Sequence, residues 1–75
     1  MKLVVTDTYD QFRRWRHRTK TAAKDCIFVT APYIVERYGP HGEVVLVDNW
    51  LDHPEINEIT DAAVRHGIWP EEAAA

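Results

Sequence analysis

Apolar positions in this chain follow two rhythms. Three short runs are continuously apolar: Leu3-Val4-Val5, Cys26-Ile27-Phe28-Val29 and Val44-Val45-Leu46-Val47. Runs of this length, rich in β-branched residues and without polar alternation, predict strands buried on both faces. Between and after them, apolar residues recur every three or four positions, which predicts helices. Tyr9, Phe12 and Trp15 form the first such stripe, Ile34, Val35 and Tyr38 the second, and Ile56, Ile59 and Ala63 the third, with Ala62 beside it. The strongest statement of this grammar is Glu43–Glu55, EVVLVDNWLDHPE, where a strand runs into a polar turn and then a helix start.

The punctuation agrees. Thr8 with Gln11 three residues later fits a capping box, so the first helix starts there and ends near Thr19. Asp10 in its first turn complements the helix dipole. The second strand spans Asp25–Thr30. Pro32 suits a first helical position, and Gly39-Pro40 ends that short helix. The last helix covers roughly Pro54–His66, acidic at its start (Glu55, Glu58) and basic at its end (Arg65, His66). Gly67 closes it, with Ile68 or Trp69 packing back on the last turn. Residues 1–69 form one α/β domain, and 70–75 a flexible tail. The element order βαβαβα implies a minimal three-stranded parallel sheet, a Rossmann-like half of a doubly wound fold. Strand order 2-1-3 is favoured over 3-2-1. It puts the first two helices on opposite faces and so buries both sides of every strand.

Charge adds an asymmetry. The net charge is −3, yet residues 1–24 hold seven basic and two acidic side chains, and residues 25–75 two basic and ten acidic ones. Opposite halves of this kind favour pairing, within a subunit or between subunits. The basic run Arg13-Arg14-Trp15-Arg16-His17-Arg18 is the sharpest feature. Arg13, Arg14, Arg16 and Arg18 are read as a solvated or salt-bridged face and a candidate interaction surface. Nucleic acid is disfavoured as a partner, because Trp15 lies on the buried stripe and the chain is acidic overall. Three short helices scarcely cover a sheet carrying Trp15, Tyr33, Tyr38, Trp50 and Trp69, so a homodimer that covers the remaining aromatic surface is expected.

In open parallel sheets, ligands sit beyond the carboxyl ends of the strands. Asp7, Thr8, Thr30, Asp48, Asn49, Trp50 and His53 occupy those ends and are the candidate ligand-binding residues. The competing account is structural: Asp7 and Thr8 cap a helix, Asp48 and Asn49 make a turn, and Trp50 packs. A phosphate at the helix amino termini, or magnesium held by Asp7 and Asp48, is the chemistry such a crevice would support. No catalytic residue, metal site or cofactor is assigned. There is no GxGxxG and no GxxxxGK followed by Ser or Thr, and His17, His41, His53 and His66 lack zinc-ligand spacing. The single cysteine, Cys26, falls within a strand and is expected to be a buried, inert thiol in a reducing cytoplasm. A strand pattern, rather than a charged segment and a long apolar run, follows Met1. No signal peptide is expected, and no stretch is long enough to span a membrane.

The opening KLVVT strand, the helix containing FRRW, the strand ending VTAP and the stretch VVLVDNWLDHPEINEI occur in this order over most of residues 2–67. In this the chain resembles small uncharacterised α/β proteins of actinobacterial phages and their hosts. There a strand runs into a Trp turn followed by a His-Pro-Glu-Ile helix start. The resemblance implies expression in a bacterial cytoplasm during phage growth, with a host or phage protein as a possible partner, and carries over no catalytic residue. The expected role is that of a non-enzymatic, self-associating or protein-binding module. The alternative is binding of a nucleotide or phosphate ligand at the carboxyl edge of the sheet.

Overall fold

A computed structural model describes residues 1–70. Of the expected tail at 70–75, all but Pro70 lies outside the described residues. Three strands, β1 (Lys2–Val5), β2 (Cys26–Phe28) and β3 (Glu43–Leu46), form one sheet in the order β2-β1-β3. Both pairings are parallel. Lys2, Leu3 and Val4 lie opposite Cys26, Ile27 and Phe28, and Lys2 to Val5 lie opposite Glu43 to Leu46. The expected α/β class and the favoured strand order therefore both hold.

The three helices are α1 (Tyr9–Thr19), α2 (Pro32–Tyr38) and α3 (Ile56–Arg65). They split across the sheet because strand side chains alternate between faces. Leu3, Val5, Val29 and Val44 join Ile34 and Val35 of α2 and Ile59, Ala62 and Ala63 of α3 in one core. Val4, Cys26 and Val47 join Phe12 and Trp15 of α1 in the other. Leu3, Val4, Val5, Val29, Val35 and Ile59 are fully buried, each worth about 1.5–3 kcal/mol of hydrophobic stabilisation. As the central strand, β1 supplies both cores at once, and this is why its apolar run has no polar alternation.

The helix ends follow the sequence signals. Thr8 is extended (φ −136°, ψ 158°), and its hydroxyl accepts the Gln11 N–H at 3.3 Å. After Thr19, Lys20 takes the left-handed conformation (φ 56°) and the chain turns off. Gly67 (φ 70°) closes α3, with the Ile68 N–H donating to the Ala63 carbonyl at 3.0 Å, and Ile68 and Trp69 pack back on the core.

Three expectations shift. The second strand spans Cys26–Phe28, not Asp25–Thr30, because Asp25 ends a 3-10 turn, Ala23–Asp25, and Val29 and Thr30 already lead into α2. The last helix begins at Ile56, not Pro54; Pro54 and Glu55 form a turn, and Glu55 is outside helical geometry (φ −116°, ψ 30°). The cause is His53, whose ring takes the Glu55 N–H and holds that residue back from the helix. Tyr9, placed on the buried stripe by its spacing, is 57% exposed. It stands at the rim of the α1 layer, tilted against Phe12 and T-shaped to Phe28.

α2 and α3 are also tied at their ends. Glu36 accepts from Arg65 at 2.6 Å and from His66 Nε2 at 2.7 Å. The hydrogen bond from His66, with the nearby Arg65 charge, holds the Glu36 carboxyl below its ordinary value of 4.5, against the opposing effect of partial desolvation. A carboxyl lowered in the folded state contributes stability above its unfolded value, and that stability is lost as pH falls through the lower folded one. Thermal melts should therefore show Glu36→Gln less stable than the parent at pH 6. The two melting temperatures should converge as pH drops below 4.5. A gap that persists in acid would mean the contact is steric rather than ionic.

Candidate functional site

The seven residues proposed at the carboxyl edge separate into two groups. Asp7, Thr8, Thr30 and His53 border one small hollow of about 180 Å³, together with Tyr9, Phe28 and Pro54. Asp48, Asn49 and Trp50 do not line it. Asn49 is in the left-handed conformation (φ 66°) and makes the turn after β3. Trp50 opens a short 3-10 turn and packs half-buried on the α2/α3 core, edge-on to Trp69 with ring centroids 5.7 Å apart. These three thus lie in the turn after β3 and against the α2/α3 core, apart from the hollow.

Thr6, which the sequence reading passed over, joins the loops after β1 and β3. It is fully buried, and its hydroxyl donates to the Asp48 carbonyl at 2.7 Å, with Asp7 Oδ1 3.3 Å away. A buried hydroxyl needs a partner of this kind, and here the partner fixes the Asp48 turn against β1.

Among the described residues, His53 is the other buried polar side chain, 4% exposed. Nδ1 accepts the Glu55 N–H at 3.0 Å, which leaves Nε2 to donate to the Val29 carbonyl at 2.8 Å. Both nitrogens are thus engaged, and the ring also lies against Phe28 with centroids 6.1 Å apart. His53 pins the approach to α3 onto the end of β2; it has no free nitrogen for a ligand or metal. Thr8 is likewise engaged as the α1 cap. Among the described residues, no three His, Cys, Asp or Glu side chains come together in a way that would hold a metal ion. The hollow therefore offers one carboxylate, Asp7, and the hydroxyls of Thr8 and Thr30, since capping uses Thr8 only as an acceptor.

On the outer face of α1, Asp10, Arg13, Arg14 and His17 recur at helical spacing and border an open hollow of about 410 Å³. Arg13, Arg14 and Arg18 are exposed and Arg16 is half-buried. Among the described residues none of the four makes an ion pair; both pairs present involve Glu36. Trp15 is buried beneath them in the core, so this face has no stacking ring from Trp15 to offer a base.

A third feature was not foreseen. An apolar groove of about 350 Å³ runs along the outer edge of β2, lined by Tyr9, Phe12, Cys26, Ile27, Phe28 and Ile34, with Arg16 at its rim. The signal for it lay in the favoured order 2-1-3, which makes the short CIF strand an outer one. It carries no charge or proline, and its guard is its length of three residues. No helix among the described residues is long and apolar enough to cross a membrane. In comparisons with protein-family models, curated proteins and solved structures, nothing matches this chain.

Proposed function

We propose that this protein acts by association and not by catalysis, as a small phage-type module of the bacterial cytoplasm whose basic helix docks on an acidic protein surface. The first such surface is a second copy of the chain; a host or phage protein with the same acidic character is the other. One observation carries the reading. The four arginines of α1 have no ionic partner among the described residues, while the exposed acids Glu55, Glu58 and Asp61 belong to the layer on the opposite side of the sheet. The two charged faces cannot meet within a subunit, so their complementarity is satisfied between subunits.

That geometry favours head-to-tail contact, α1 of one copy against α3 of the next. With the two faces on opposite sides of the sheet the contact is heterologous, so a dimer is its first step and a ring or open chain its continuation. Light scattering should give a mass above the monomer at low ionic strength, falling as salt screens the contact. Replacing Arg14 and Arg18 by Glu should reduce the mass to that of the monomer without changing the circular dichroism. A parent protein that stays monomeric at all concentrations and salts would remove a second copy as the partner. An oligomer indifferent to both salt and substitution would place the interface elsewhere.

The alternative, a nucleotide or phosphate ligand at the carboxyl edge, has the hollow bordered by Asp7, Thr8, Thr30 and His53 in its favour. Against it stand the Asp7 carboxylate, which repels an anion, and the two occupied nitrogens of His53.

A further inference from the structure

We infer that the crevice at the carboxyl end of β2 binds a small arylalkylamine, with its ammonium on Asp7 and its ring against Tyr9, Phe12 and Phe28. The polar hollow and the apolar groove are not separate places. They share Tyr9, Phe28 and Thr30 as walls, so one crevice runs from Asp7 along the outer edge of β2. The two parts hold about 350 Å³ and about 180 Å³. Together they fall within the range of small-molecule sites, about 300–1,000 Å³. An apolar body with a few converging polar groups at one end is also the usual make-up of such a site.

Charge fixes the class of the ligand. Asp7 is half-buried and has no ion pair among the described residues, and its Oδ1 meets only the Thr6 hydroxyl, at 3.3 Å. The feature that turns an anion away therefore selects a cation. A primary ammonium has three N–H donors. Asp7, Thr8 and Thr30 place three oxygen acceptors around one hollow. His53 accepts at Nδ1 and adds no positive charge there. Arg16, on the groove rim, lies seven residues along α1 from Tyr9. That is about 10 Å of helical rise, about one Debye length at 0.1 M salt.

The rings fix the body. Phe12 and Phe28 are stacked, with planes 24° apart and centroids 5.7 Å apart. Tyr9 stands T-shaped to Phe28 and tilted against Phe12, and its outer side is open to solvent. An aromatic guest packs offset or edge-on in such a corner. Its ammonium, held by Asp7 beside the Tyr9 ring, gains a cation–π contact as well.

The test is an amide NMR titration with phenethylamine. Three controls accompany it: phenethyl alcohol, which lacks the charge, 3-phenylpropionate, which reverses it, and ethylamine, which lacks the ring. Phenethylamine should saturate with a dissociation constant on the order of 1 mM. It should shift Thr8, Tyr9, Phe28 and Thr30 and leave Arg65 and His66 unmoved. The alcohol and ethylamine should each bind roughly tenfold or more weakly, and the carboxylate should not bind. Asp7→Asn keeps an oxygen for Thr6; it should weaken the amine roughly tenfold and leave the alcohol unchanged. Tyr9→Ala should weaken both, because both use that wall. The Arg14→Glu, Arg18→Glu protein should bind phenethylamine like the parent, which separates this site from the charge-driven association proposed above. A linear, unsaturable response to the amine, or shifts centred away from Tyr9 and Phe28, would overturn the site. Equal affinity for amine and alcohol, or equal losses of both in Asp7→Asn, would overturn the ammonium contact with Asp7.

Discussion

Leu3→Ala is expected to lower the unfolding free energy by about 2–5 kcal/mol, the usual range for a fully buried leucine. A domain of this size has roughly 4–11 kcal/mol in total, so the melting temperature should fall by roughly 10 °C or more. Leu3 is wholly buried in the α2/α3 core, and its neighbour across the turn into β3 is Gly42. A Cβ at Gly42 would lie 2.6 Å from Leu3 Cδ1 and 3.0 Å from Cγ. The backbone there is ordinary (φ −89°, ψ 157°), so the cost of Gly42→Ala is steric and should be about 1–3 kcal/mol. The two changes should not add. Once Leu3 is shortened the clash is gone, and the double substitution should be no less stable than Leu3→Ala alone. Urea titration of the four proteins completes the cycle; strict additivity would show that the side chain of Leu3 does not fill the space above Gly42.

His53→Ala should cost about 2–4 kcal/mol, because it removes buried volume and deprives the Val29 carbonyl and the Glu55 N–H of their partner. Water entering from the hollow beside Pro54 offsets part of this. His53→Gln, which keeps a donor and an acceptor on a side chain of similar reach, should recover a substantial part of the loss. Amide exchange discriminates the mechanism. The Glu55 amide should exchange faster in His53→Ala, in step with loosening of the turn before α3. If Glu55 remains as protected as in the parent, the ring is only packing there and the hydrogen bond contributes nothing. A ligand-binding histidine would behave in the opposite way, since its removal would leave stability intact.

His53 also marks where the sequence stopped being informative. The strands, their order and the two-sided burial were legible because Leu3-Val4-Val5, Cys26–Val29 and Val44–Val47 are apolar without alternation, which only a sheet covered on both faces explains. The Thr8 cap and the Gly67 closure were legible because their partners lie a few residues away. The His53–Val29 bond spans 24 residues and the Thr6–Asp48 bond 42, and no local pattern encodes either. A histidine beside a strand end therefore read as a possible ligand residue when it is a clasp. Trp50 was undecided for a similar reason: its place against Trp69 depends on how the chain after α3 folds back. The β2 groove depends on how far one eleven-residue helix reaches across three strands. That is a matter of coverage, which periodicity in the chain does not specify.

The central position of β1 has a consequence for how the protein is made. β1 leaves the ribosome before either neighbour, and its partners follow, β2 at Cys26 and β3 at Glu43. A nascent chain reaching only as far as β2 holds most of the α1 layer (Val4, Phe12, Trp15 and Cys26, with Val47 still to come), while Leu3 and Val5 still face solvent on the other side. That second layer awaits Ile59, Ala62 and Ala63, which emerge last. The half-built chain is thus a one-sided sheet with an uncovered apolar face. The speed at which residues 43–65 are translated sets how long that face is open to chaperones or to other nascent chains.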